Sequence, residues 1–205
     1  MKNPLHYQTT EYDCGPTTML NAINYLFQRK DVAPEVVRNI MLYSLDSYNK
    51  EGEAHKNGTT GMAMLFLSNW LNQFGKVKKW PIHCEVMSGN EVRISQNSRI
   101  AECLGQGGTV VAKVMLGVWH YVLLTGIDSE YIYVFDPYYR EKPFHRKGID
   151  IISDAPTRMN RRIRHDIMNS EGKGDYALGK EDGRECVLLY NTSTRISMDS
   201  IEYLI

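Results

Sequence analysis

Cys14 stands in Asp13-Cys14-Gly15-Pro16, a turn-like cluster directly ahead of a helical pattern. A thiol is nucleophilic when ionised, and the free N–H groups and dipole at a helix start favour the thiolate. Such a sulfur attacks a carbonyl carbon if a base nearby takes up and returns the protons. Of the six histidines, His6 and His55 lie in polar segments, His145 and His165 beside basic residues, and His83 in a weaker strand pattern. Only His120 falls inside a strongly apolar, strand-like run. A strand histidine is ordinarily a satisfied structural one, and the Asp136-Pro137 step that closes the next apolar run is by itself an ordinary turn signal. If the two runs form a hairpin, the start of one lies near the end of the other, and His120 meets Asp136 at one rim. The carboxylate then fixes one imidazole nitrogen and leaves the other to the thiol. Joined to Cys14, the pair outweighs its separate bland readings.

Helices come first along the chain. Met19, Leu20, Ile23, Leu26 and Phe27 recur at spacings of three and four, which predicts a helix from Thr17 onward. A second is expected from Pro34, with Val36, Val37, Ile40, Met41 and Leu45 on one face, and a third over residues 62–74, stopped by Gly75. Between them the polar stretch 50–61, whose one apolar anchor is Ala54, predicts a mobile lid. Strand patterns follow at 76–86 and 91–95, then a short helix at 98–104. Three β-branched runs at 109–116, 119–127 and 131–135 have the short connections of consecutive antiparallel strands, and a last strand is expected at 185–190. Helices first and a strand meander second predict an α+β architecture. The basic run 158–165 reads as a solvated helix face or loop, with a docking patch for an acidic partner as the alternative.

The chain has 205 residues, enough for one large domain or two lobes sharing a core. A hydrophobic share of 42% with 23% charged residues excludes wholesale disorder. Lys+Arg and Asp+Glu cancel at 24 each, which argues against a nucleic-acid or anionic-lipid partner. The longest apolar stretch, 110–127, is broken by Lys113 and His120, so no integral membrane segment is expected. The opening residues hold no apolar signal-peptide core, which leans toward the cytoplasm, while a processed start leaves the compartment open. Four cysteines without a C-x-x-C pair fit neither a zinc ribbon nor a dense disulfide framework. Cys84, Cys103 and Cys186 read as small buried hydrophobes, and no metal or cofactor is expected. Oligomeric state is not legible.

A lone Gln8 would mean nothing. The run Gln8-Thr9-Thr10-Glu11-Tyr12-Asp13-Cys14-Gly15-Pro16, however, resembles the Q-x-x-x-x-D-C-G signature of the bacteriocin-processing, double-glycine leader peptidases and their stand-alone relatives. These are papain-like cysteine peptidases. His120-Tyr121-Val122-Leu123-Leu124-Thr125-Gly126 with the later Phe135-Asp136-Pro137 is similar to the family's second block. The resemblance implies a papain-like fold in a single domain, 1–205, with a helical lobe (about 14–75) packed against an antiparallel sheet lobe (about 76–205). It implies Cys14 as nucleophile, His120 as base, Asp136 as orienting group, and Gln8 with the Cys14 N–H as oxyanion donors. The activity implied is cleavage of a peptide or amide bond, on a peptide or protein substrate, through an acyl-enzyme. An acyl or amide transferase on the same triad and a non-catalytic peptide-binding relative are the alternatives, and the complete residue set disfavours the second. Pro16-Thr17 stands where transporter-fused members often carry a small residue, which brings the chain nearer the stand-alone branch. Residues 138–182 match no part of the pattern.

Overall fold

Three helices open the chain: α1 (Cys14–Leu26), α2 (Pro34–Ser44) and α3 (Gly61–Lys78). The computed structural model describes residues 4–197; residues 1–3 and 198–205, the ends of the expected single domain, lie outside the described residues. After the helices come β1 (Ile82–Ser88), α4 (Arg99–Gly105), β2 (Thr109–Leu116), β3 (Val118–Ile127) and β4 (Tyr131–Phe135). Then follow β5 (Ile149–Ile151), β6 (Arg161–Arg164), α5 (His165–Met168) and β7 (Glu185–Asn191). The strands form one sheet in the order β1-β7-β2-β3-β4-β6-β5, with antiparallel pairing throughout. This is the expected α+β architecture, with the N-terminal helices packed on a C-terminal antiparallel sheet.

Side-chain alternation divides the core between the two faces of the sheet. Val111, Leu123, Val187 and Leu189 pack with Met19, Ile23, Ile40 and Leu67 of the helices. Val110, Val122, Leu124 and Leu188 face the other way, onto Ile100, Ile163, Met168 and Tyr176. Each such fully buried aliphatic side chain contributes roughly 1.5–3 kcal/mol. The sheet is thus a middle layer. Its second cover comes from α4 with Val92 and Ile94, and from α5 with Phe144, Tyr176 and Leu178.

Five local expectations are corrected. The first helix begins at Cys14 itself, not at Thr17. The third runs through Gly75 to Lys78 and ends where Lys79 turns left-handed at φ 55. Gly75 is there because a Cβ would sit 2.8 Å from the Trp80 carbonyl, so it marks close packing and not a helix stop. Residues 91–95 hold no strand, because Arg93 turns back on Glu91 and Ile94 is clamped by the Asn169 side chain. The basic run contains strand β6 and a buried guanidinium, Arg161, at 2% exposure. Two of its other charges are matched locally, Arg162 to Asp150 and Arg164 to Asp166, both at 2.9 Å, while Arg158 lies over the Tyr133 ring. On α2, Val36, Ile40 and Ser44 face inward while Val37 and Met41 are exposed.

Candidate active site

Cys14 is the first residue of α1, and helix geometry leaves the leading N–H groups without intrahelical partners. Asp13, just ahead, does not cap them; its carboxylate accepts from the Thr10 N–H at 3.1 Å and closes the turn before the helix. One turn on, the buried Thr18 hydroxyl donates to the Tyr121 carbonyl at 2.9 Å, tying the start of α1 to the residue next to His120. Gly15 lies under the loop before α3, where a Cβ would sit 2.1 Å from Thr59 Oγ1. Only glycine lets that loop close over the helix start.

The β3–β4 hairpin pairs Leu123 with Phe135, so His120 and Asp136 fall at the same end of the sheet. His120 Nε2 lies 2.7 Å from Asp136 Oδ1, with the carboxylate fully buried and the imidazole nearly so. With Nε2 taken by Asp136, Nδ1 is the nitrogen left for the Cys14 thiol, the ring's other electrostatic partner. Burial works against a charged imidazole, but the Asp136 carboxylate that accepts from it and the Cys14 sulfur outweigh burial and hold His120 above its ordinary value. Burial likewise opposes the Asp136 carboxylate. His120, Tyr176 and the Tyr138 N–H overcome that and hold it below the usual range.

Two hollows meet at this point. A cleft of about 620 Å³ beside Cys14 is lined by Tyr12, Lys56–Gly61, Lys113, Trp119 and Tyr121. A smaller one of about 420 Å³ beside His120 is lined by Gln8, Tyr138, Arg140 and Asp175. Gln8 is pinned through its backbone N–H to the Pro137 carbonyl at 2.8 Å, and its Nε2 donates to the Thr10 carbonyl at 2.8 Å. A second Nε2 hydrogen is left over, and Oε1 is buried without a partner. Thr59 Oγ1, across the site, is likewise buried and unpaired. Buried polar groups without a partner are few in native structures, and these two face the hollows.

The sequence profile described as "Peptidase_C39 like family" matches residues 2–157. The chain belongs to that family. Among solved structures, it is similar to a double glycine motif protease from an AMS/PCAT transporter, solved in complex with the leader peptide. That similarity has 11% identity, 92% of this chain and 91% of that one covered, and a TM-score of 0.47. It is also similar to the peptidase domain of Streptococcus mutans ComA, at 14% identity, 91% and 98% coverage and a TM-score of 0.44. A comparison with curated proteins gives no match. The family is one of cysteine peptidases.

In this C39-like chain the matched region stops before several residues that hold the site. Asn160 clamps Asp136 by both backbone groups: Asp136 N donates to Oδ1 at 2.8 Å and Nδ2 donates to the Asp136 carbonyl at 2.7 Å. Tyr176 donates to Asp136 Oδ2 at 2.6 Å. Neither is signalled by periodicity or motif. The cleft floor is also unannounced: Tyr121 donates to Glu185 Oε1 at 2.5 Å, and Lys113 Nζ lies 3.2 Å from the same oxygen. Residues 50–57 are exposed and 58–61 half-buried, yet the segment is locally bonded, with Tyr48 bridging Ala54 and Thr60 bonded to Asp46. The other three cysteines are free thiols, buried, and pushed up by that burial. No helix among the described residues is long and apolar enough to cross a membrane.

Proposed function

We propose that this C39-like chain is a cysteine peptidase, folded as a single papain-like domain, acting on a peptide or protein substrate. Cys14 is the nucleophile, His120 the general acid and base, Asp136 the group that orients His120, and Gln8 an oxyanion donor. The observation that carries the reading is one buried imidazole bonded through Nε2 to a fully buried carboxylate, Asp136, at 2.7 Å. Its other electrostatic partner is the thiol of Cys14, the first residue of a helix. An imidazole so held is charged beside the sulfur, which is the resting arrangement a thiolate nucleophile needs.

The thiolate adds to the scissile carbonyl, and the oxygen that becomes negative takes hydrogen bonds from the Cys14 N–H and Gln8 Nε2. Collapse breaks the C–N bond as imidazolium gives its proton to the leaving amine, leaving a thioester on Cys14. Water then attacks the thioester while His120 takes its proton, and thiolate departs as the acid product leaves. Since His120 protonates the leaving amine, that half of the substrate lies in the hollow lined by His120, Gln8 and Arg140. The acyl half lies in the cleft beside Cys14, whose volume suits several residues of extended chain.

The test is mass spectrometry of the protein quenched during exposure to a peptide library. A mass increase on Cys14 that decays in water, and that His120→Ala abolishes, is the expected result. Release only when an amine is added would make the chain a transferase, and no adduct on any peptide would make it a binding relative.

A further inference from the structure

Asp136 is fully buried, and its two oxygens are served differently. Oδ1 accepts from His120 Nε2 at 2.7 Å and from the Tyr138 N–H at 2.8 Å. Oδ2 accepts from the Tyr176 hydroxyl at 2.6 Å. That hydroxyl in turn accepts from Arg161 Nε at 3.2 Å. The remaining guanidinium bonds run to the Asn160, Tyr138 and Arg140 carbonyls, all neutral. The negative charge that answers buried Arg161 is therefore Asp136, one hydroxyl away. A line of side chains thus runs from Arg161 through Tyr176 to Asp136 and His120, at the site of Cys14.

Tyr176 is also held in an unusual way. Its φ of 62° lies in the left-handed region that bulky residues avoid. Such a conformation persists where the surroundings over-determine it, and it clusters at functional sites. Here the backbone N–H donates to the Met115 carbonyl at 2.6 Å, and the ring meets Phe144 edge-on at 5.4 Å. The side chain has no exposed surface. Both Tyr176 and Arg161 lie beyond residue 157, where the family profile ends.

We propose that Tyr176 is a positioning residue. Backed by Arg161, its hydroxyl keeps Asp136 ionised and turned toward His120, so the segment after residue 157 completes the site. The proposal rests on the reading of Cys14 and His120 given above. Without the hydroxyl, Oδ2 is buried and unpaired, and taking up a proton is its readiest relief. A donor to a carboxylate favours the charged form, so removing it makes Asp136 protonate at higher pH. A neutral Asp136 no longer holds His120 charged beside the sulfur. The other charged groups at the hollow beside His120 are Glu11, Arg140 and Asp175, none of which Tyr176→Phe alters.

The test is the rate of Cys14 carboxamidomethylation by iodoacetamide, a neutral probe, on the full chain from about pH 4 to 9. Tyr176→Phe should move the acid limb up by about one pH unit, slowing the reaction about tenfold at its foot. The plateau rate should stay within about twofold. In an Asp136→Asn background the same substitution should leave the limb where it is, because Tyr176 acts through Asp136. If Tyr176→Phe does not fold, fluorotyrosine placed at 176 keeps the shape with a stronger donor and should move the limb down. A limb unmoved by either change, with only a lowered melting temperature, would overturn the proposal and leave Tyr176 a packing residue. Wild-type labelling indifferent to His120→Ala would instead remove the reading on which it rests.

Discussion

Asp136→Asn changes one atom and asks most of the site. The carboxylate is fully buried, and it is the countercharge both to His120 and, through Tyr176, to Arg161. Removing one partner of a buried charge network costs about 3–5 kcal/mol, because the remaining charge stays buried without compensation. For a chain of this size each kcal/mol lowers Tm by about 2–4 °C, so the variant should melt roughly 6–20 °C lower. The chemistry should suffer separately. An amide that turns its NH2 toward Nε2 makes that nitrogen an acceptor, which puts the imidazole proton on Nδ1, facing the sulfur. Proton uptake from the thiol is then blocked, and Cys14 labelling near neutral pH should fall at least about tenfold. The assay is iodoacetamide labelling with peptide mapping below the melting transition, with buried Cys84, Cys103 and Cys186 reporting any unfolding. An Asp136→Asn variant that melts within a degree or two of wild type and labels at the wild-type rate would refute the argument.

Gly15→Ala should displace the loop before α3, since the new Cβ meets Thr59 Oγ1 at 2.1 Å, and Thr59→Gly should restore both Tm and Cys14 labelling. The ion pair also sets a pH window. Despite burial, its partners raise His120 above the unfolded value of about 6.5, so that contribution is whole below about pH 6.5 and fades as pH rises. Asp136, held low by His120, Tyr176 and the Tyr138 N–H in spite of burial, contributes fully above about pH 3.9 and fades as pH falls. The Tm gap between wild type and His120→Ala should therefore peak between about pH 4 and 6.5 and narrow on both sides. Amides of residues 50–57, exposed in the free protein, should exchange fast and slow down once Cys14 carries a covalent peptide inhibitor. Exchange indifferent to the inhibitor would make the segment a plain surface loop.

The hairpin that joins His120 to Asp136 was legible because strand register follows from a short turn and alternating apolar residues, both printed in 119–135. The place of Cys14 at a helix start was legible because Gly15-Pro16 and the stripe behind it announce one. What surrounds Asp136 was not. Asn160 and Tyr176 act across 24 and 40 residues of chain, and nothing local distinguishes a clamping Asn or a buried Tyr from a loop residue. Arg161 was hidden by its neighbours: in Arg161-Arg162-Ile163-Arg164 strand alternation turns two arginines outward and one into the core, and only the register says which. Gly75 misled for a related reason. A glycine needed for close packing reads the same as one needed for a turn.

The measurement that bears most directly on the central claim is competitive labelling of the four thiols in the folded protein at about pH 6, with and without His120. Iodoacetamide at limiting concentration should modify Cys14 before Cys84, Cys103 or Cys186, and His120→Ala should slow Cys14 at least about tenfold while the other three stay unlabelled. Equal labelling of several cysteines, or a Cys14 rate that ignores His120, would mean that no thiolate–imidazolium pair forms and that the site is not a peptidase centre.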